Sequence, residues 1–367
     1  MSTSDHYKSN LRDTFFNLFE VLDIENTTLG KGPFTSMDAE TAREALSGLE
    51  VFAREELAKS FVDADRIPLK LDDEGNVTLP PALTKSIKDY YDNEWNQLEL
   101  PEHLGGFGAP PTLIWSAFEM VAGSNPCVGF YLLGNFVAKI IGDLATDSQK
   151  KRYVQNILDH HWGGTMVLTE PDAGSDVGAG RSRAKHVKDD EYLLEGTKIF
   201  ITNGDFDQPD NIVHLVLARP EDGAPGTKGL SMFIVPKYWV NEDGSLGERN
   251  GAVVTNIEKK MGIKGSATCE LTLGADKPCR GLLVGEVHKG IKQMFHVIEY
   301  ARMAVGTKSM ATLSTAYLNA LQYTKERVQG PDLLQATNKT APRVEVIRHP
   351  DVRRMLMKQK AYAEGMR

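Results

Sequence analysis

The chain has 367 residues, 41% of them hydrophobic, enough to bury a large core and to divide into two or three domains. Lys and Arg total 42 against 50 for Asp and Glu, a formal net charge of -8, and no clustered basic run tracks a phosphate backbone, which argues against nucleic acid as a partner. Cys127, Cys269 and Cys279 are too few and too irregularly spaced for a disulfide framework or a zinc site, so a reducing cytoplasm fits best.

The first thirteen residues lack the apolar core of a secretory signal, and no stretch is read as approaching the roughly 20 apolar residues that span a bilayer. Secretion and membrane insertion are therefore disfavoured. Up to about residue 160 the pattern is helical and no strand is expected, with Leu11, Phe15, Phe16, Leu18, Phe19 and Leu22 at helix spacing. A helix is predicted over Met37–Ala58, capped by Ser36, and another over Lys85–Trp95, capped by Thr84. Asp72–Pro81 and Leu100–Pro111 read as loops, Ile114–Ala122 as a helix, and the nearly uncharged run Val128–Ile141 as a buried helix.

From Trp162 the pattern turns strand-like, in Thr165–Leu168, Tyr192–Leu194, Ile199–Ile201, Ile212–Ala218, Ser231–Val235, Val253–Ile257 and Leu271–Leu273. Turn-forming clusters separate these runs at short intervals, the rhythm of an antiparallel sandwich or barrel. Helix spacing returns over Ile291–Tyr323 and Asp351–Met366, so the order is α, then β, then α.

The most informative segment is Met166–Val177, a strand running into a turn. Pro171 fixes φ there, Gly174 permits unusual backbone angles, and Thr169, Ser175 and exposed N–H groups can face an isoalloxazine edge or a phosphate. An ordinary turn capped by Asp172 and Ser175 has the same composition. Glu299 and Arg302, three apart on a helix, share one face and would by spacing form an i,i+3 ion pair. The adjacent His160 and His161 have no clustered carboxylates to complete a metal site.

The run T-E-P-x-A-G-S-D-V at Thr169–Val177, followed by K-x-F-I-T-N-G at Lys198–Gly204, resembles the two flavin-binding segments of acyl-CoA dehydrogenases. Collinear matches follow at Leu100–Gly108, Lys259–Thr268, Gly285–Met294, Ile298–Arg302 and Ala320–Gly330. Tyr7–Asp13 and Phe16–Leu22 resemble the N-terminal extension of the longer bacterial members. The resemblance implies an α+β fold with an N-terminal extension (1–35), a helical bundle (36–161), an antiparallel β-barrel or sandwich (162–284) and a C-terminal helical bundle (285–367). That last bundle would be incomplete, the chain being a C-terminally truncated member or a fragment of a longer one.

The resemblance also implies FAD, held by Met166, Leu168, Thr169, Gly174, Ser175, Phe200, Ile201 and Thr202. Phe200 stands where many relatives carry a tryptophan against the flavin; plain strand alternation would instead bury it in the β-core. Ser175, Glu299 and Arg302 match positions on the acyl-CoA, and Arg327 matches an arginine that reaches the FAD of a neighbouring subunit, although its run lacks the usual phenylalanine.

The implied reaction is α,β-dehydrogenation of an acyl-CoA, with a carboxylate removing the α-proton. The usual base would lie beyond Arg367; at the alternative position this chain has Ala301, and Glu299, the nearest carboxylate, points about 200° away around the helix. An electron-transferring flavoprotein is the expected acceptor and a homodimer or tetramer the expected assembly. A non-catalytic flavoprotein or assembly subunit, and a flavin oxidase or monooxygenase on the same scaffold, are the alternatives.

Overall fold

The computed structural model describes residues 6–367, so the first five residues of the expected N-terminal extension lie outside the described residues. The chain enters α1 (Leu11–Phe15), which continues into a π-helical stretch over Phe16–Val21, then α2 (Ile24–Thr27), α3 (Ala39–Glu55) and α4 (Phe61–Arg66). A short hairpin, β1 (Lys70–Leu71) and β2 (Val77–Thr78), precedes α5 (Pro81–Asp92), α6 (Pro111–Ser124), α7 (Pro126–Tyr131), α8 (Gly134–Leu144) and α9 (Asp147–Asp159). The strands that follow are β3 (Gly163–Val167), β4 (Arg183–Lys188), β5 (Glu191–Thr202), β6 (Ile212–Pro220), β7 (Ser231–Pro236), β8 (Tyr238–Val240), β9 (Leu246–Arg249), β10 (Ala252–Ile257), β11 (Thr268–Leu273) and β12 (Cys279–Leu283). The 37-residue α10 (Gly290–Glu326), the hairpin β13 (Val328–Pro331) and β14 (Arg343–Glu345), and α11 (Pro350–Met366) complete the chain.

Several expectations are corrected. The first region does contain strand: Asp72 Oδ1 accepts the N–H groups of Glu74 (3.0 Å) and Asn76 (2.8 Å), and Gly75 at φ +78° lets the chain reverse into β2. α3 is capped by Asp38, not Ser36, through the Thr41 N–H at 2.8 Å. α5 begins three residues before Thr84, because Pro81 at its first position already has the helical φ and no N–H to satisfy. α9, with a capping box between Thr146 and Gln149, was not anticipated.

The apolar run expected as one helix is two, α7 and α8. Pro126–Leu144 has a mean hydropathy of 1.4 over an 18-residue window and is long and apolar enough for a membrane span, contrary to the expectation, yet 67% of that window is buried inside the protein. Residues of α8 and α9, Phe136, Val137, Ile140, Ile141, Tyr153 and Ile157, pack in one cluster with Val213, Leu215 and Leu217 of β6 and Ile234 of β7.

Two compact units account for the chain. One comprises residues up to Phe61, Phe107–Pro126 and Met303–Arg367. In it α3 buries Ala42, Leu46, Leu49 and Ala53, a single helical face. Phe118 and Ala122 of α6 pack with Ala304. The Arg367 guanidinium is inserted among Glu119, Asp13 and Ser314, with 4% of its side chain exposed.

The second unit, Val62–Gly106 and Cys127–Arg302, contains the eight-stranded sheet. Strand order runs β10-β11-β5-β12-β7-β6-β3, and β4 bridges β5 and β6, so that β5, β12, β7, β6 and β4 close into a ring. The pairings of β6 with β3 and with β4 are parallel; the sheet is thus a mixed barrel rather than a wholly antiparallel one. Tyr192–Leu194 and Ile199–Ile201, expected as separate runs, are the two ends of the twelve-residue β5, whose first half pairs with β4 and β12 and whose second half pairs with β11.

Candidate functional site

The site is built where β3 ends beside the second half of β5. Lys198 is 1% exposed. Its ammonium donates to Leu168 O (3.0 Å), to Leu217 O (2.6 Å) and to Glu170 Oε1 (2.8 Å). The Glu170 carboxylate also accepts the backbone N–H groups of Arg181 (2.5 Å) and Ser182 (3.2 Å). The loop from Pro171 to Gly180 is therefore tied shut at its base. Burial pushes the Glu170 carboxyl up, but the Lys198 ammonium and these N–H donors outweigh it and hold the group below the ordinary carboxylate range. Burial pulls Lys198 below its usual value, against the pull of Glu170.

The turn itself is short and braced. Glu170 and Ala173 exchange backbone hydrogen bonds at 3.2 and 3.0 Å, and the Ile199 N–H donates to Thr169 O at 2.9 Å. Gly196 must be a glycine on two counts: its φ is +142°, and a Cβ there would lie 2.4 Å from Ser182 Oγ.

Two residues on from Lys198 the strand breaks its alternation. Ile201 pairs with Cys269 and Lys198 with Leu271, so two residues of β5 oppose Glu270 alone on β11. Phe200 sits in this bulge at φ +59° and is 59% exposed. On a regular strand it would share the face of Lys198; the bulge sends Lys198 inward and Phe200 outward. The β-core alternative for Phe200 is thereby excluded. A bulky aromatic held in the left-handed region costs about 1–3 kcal/mol, a strain typical of ligand-contacting positions.

Beyond the bulge, Ile201 is a core side chain, 2% exposed, and Thr202 is half-buried opposite Thr268. Asn203, at φ +54°, then anchors the chain: its N–H donates to Ala267 O (2.7 Å), its Oδ1 accepts from Ser266 Oγ (2.9 Å) and its Nδ2 donates to Phe130 O (2.5 Å). A second buried pair follows, Asp205 with Lys237 at 2.6 Å, and Asp205 Oδ2 also accepts the Val77 N–H at 2.9 Å. Burial raises the Asp205 carboxyl despite Lys237.

On this support the hydroxyls of Thr169, Ser175 and Thr202 make no hydrogen bond among the described residues. Thr169 and Thr202 are half-buried and Ser175 is exposed, as is Gly174, while Met166 and Leu168 are half-buried against the core. Three hydroxyls and one aromatic ring are thus left over for a ligand.

Glu299 and Arg302 are both exposed on α10. They form no ion pair among the described residues, which removes the i,i+3 pair as their explanation; the Arg302 guanidinium lies 6.0 Å from the Phe295 ring centroid. Ala301, half-buried, has no group to accept a proton. Arg327 lies in the other unit, where its guanidinium donates to Gln329 Oε1 at 2.9 Å. The sequence reading missed both buried ion pairs, although Glu170 and Lys198 stand inside the two motifs it singled out.

Residues 165–275, which carry the whole of this arrangement between Met166 and Thr268, match the family model for the acyl-CoA dehydrogenase middle domain. That stretch of the chain is an acyl-CoA dehydrogenase middle domain. It is 53% identical over 366 residues to the broad-specificity linear acyl-CoA dehydrogenase of Mycobacterium tuberculosis, covering 99% of this chain and 60% of that relative. The chain therefore spans about 60% of the length of that curated relative. Among solved structures, butyryl-CoA dehydrogenase from Megasphaera elsdenii superimposes with a TM-score of 0.68 at 23% identity, over 88% of this chain and 76% of that one. A glutaryl-CoA dehydrogenase from Mycobacterium smegmatis in complex with FADH2 gives a TM-score of 0.65 at 19% identity, over 90% and 74%. Both share the acyl-CoA dehydrogenase fold.

Proposed function

We propose that this chain holds FAD and acyl-CoA for the α,β-dehydrogenation of acyl-CoA thioesters. The observation that carries the reading is the outward Phe200, strained into the left-handed region and exposed two residues before Thr202 and one after Ile199, whose N–H donates to Thr169 O; the Thr169 and Thr202 hydroxyls make no hydrogen bond among the described residues. These residues suit an isoalloxazine: Phe200 offers an apolar ring edge, and each hydroxyl can donate or accept, as a heterocycle that changes oxidation state requires. Bound FAD would supply the acceptor for the hydride leaving the substrate's β-carbon.

The chain's own residues orient the reactants. Thr202 and Thr169 fix the cofactor edge from β5 and from the end of β3. Ser175, exposed on the turn, meets the CoA side, and Glu299 and Arg302 offer opposite charges to the pantetheine and the groups beside it. Proton abstraction from the α-carbon needs a carboxylate on the face away from the flavin, and Glu299 is the carboxylate of this chain to test for it. Linear acyl chains are the substrate class, supported by the name of the 53% identical relative. By family resemblance an electron-transferring flavoprotein takes the electrons and the working assembly is a dimer or tetramer. A cytoplasmic setting is in keeping with three buried free thiols.

The test is an absorbance spectrum of the chain with FAD, before and after anaerobic addition of a linear saturated acyl-CoA. Bleaching of bound flavin supports dehydrogenation; flavin bound but unbleached turns the reading towards a helper flavoprotein; absence of bound flavin overturns it.

A further inference from the structure

We propose that Glu170 and Lys198 are a positioning pair for the flavin, a buried latch that fixes the 169–175 turn against the Phe200 bulge and so sets where the Thr169 and Thr202 hydroxyls stand. The inference rests on the flavin reading given above and names residues that touch neither substrate nor cofactor.

Three features carry it. The two charges lie between the segments that supply the candidate contacts: Glu170 follows Thr169 directly, and Lys198 precedes Phe200 by two residues. Both side chains are largely withdrawn from the surface, with 2% of Lys198 and 8% of Glu170 exposed. And the pair does more than neutralise itself. One ammonium gathers oxygens from just past β3, from β6 and from Glu170, while the carboxylate gathers two N–H groups from the residues just before β4.

A buried ion pair adds little stability over a well-packed apolar pair of the same volume. What it adds here is direction, because carbonyls from different strands must point at one nitrogen. An apolar pair would fill the space without aiming the Leu168 carbonyl, and the peptide after Leu168 is the one that presents Thr169.

The decisive variant is E170Q/K198M, which keeps the volume and leaves no buried charge unpaired. Circular dichroism and a melting curve establish its fold; FAD affinity, the visible flavin band and the flavin reduction potential read the latch. The expected result is a folded protein whose FAD dissociation constant is raised about tenfold or more, with a displaced band and a shifted potential. Wild-type affinity, band and potential in the folded double variant would reduce the pair to filler and overturn the proposal. Should E170Q/K198M not fold, Lys198→Arg decides, since it retains the cation but spreads its donors over a plane: a displaced band supports the latch and an unchanged band and potential overturn it. Failure of the unaltered chain to take up FAD overturns the flavin reading and the latch with it, whereas normal uptake with indifferent variants overturns the latch alone.

Discussion

Two of the buried charge clusters, one taken from each unit, are put to different ends. In the helical unit the Arg367 guanidinium gives its donors to Glu119, Asp13 and Ser314, and the polar groups close on one another. In the β-unit Glu170 and Lys198 are just as fully engaged, yet beside them the hydroxyls of Thr169, Ser175 and Thr202 make no hydrogen bond among the described residues and Phe200 is held outward in a strained conformation. The difference separates a cluster that ties helical elements to one another from one that braces a candidate site, where a strained aromatic ring is held outward beside it.

The sharpest way to break this comparison is to unpair the latch. Lys198→Met alone strands a buried carboxylate and is expected to lower unfolding stability by about 3–5 kcal/mol in urea titration. E170Q/K198M is expected to recover most of that loss, so equal losses in the two variants would show that packing rather than charge is at stake. A second test reads the buried histidine of the same sheet. His214, hydrogen-bonded to Thr165 at 2.8 Å, is pushed down to about 3 by burial and by Lys237. The unfolded chain takes up this proton near pH 6.5 and the folded chain only near 3, so stability should fall as pH drops through that window, by about 1.4 kcal/mol per pH unit at most. His214→Gln should flatten the slope above pH 4.5. Glu170, held below its ordinary 4.5, contributes stability above that value that is lost as pH falls further.

The smaller effects sharpen the distinction. Phe200→Gly relieves a left-handed φ and should raise stability by about 1 kcal/mol while weakening FAD binding, opposite signs that an ordinary strand residue would not give. Thr202→Val removes a hydroxyl with no hydrogen bond among the described residues, so stability should stay within about 0.5 kcal/mol while FAD affinity falls. Parallel loss of stability and affinity would mean that the hydroxyl serves the fold.

How much of this was legible in the sequence depended on how far apart the deciding residues lie. The turn at Thr169–Ser175 could be read locally, because Pro171 and Gly174 announce it, and most strands showed in their apolar runs. β4 did not, since Arg-Ala-Lys-His-Val-Lys buries only Ala184. Phe200 could not be placed by alternation, because the bulge that turns it outward is defined by its register with β11, some seventy residues on. Lys198 was overlooked for the opposite reason: a lysine in a motif is ordinarily a surface or ligand-facing group, and only the convergence of Glu170, Leu168 and Leu217 makes its burial tolerable.

The closed ring has a bearing on the order in which the site can assemble during synthesis. A nascent chain that has reached Leu217 already contains every group of the latch, so the turn can be pinned early. The outward posture of Phe200 must wait for Thr268–Leu273, and the ring cannot close before Cys279–Leu283 arrives between β5 and β7. On the ribosome, the support for the proposed flavin is complete well before the surface that would face it.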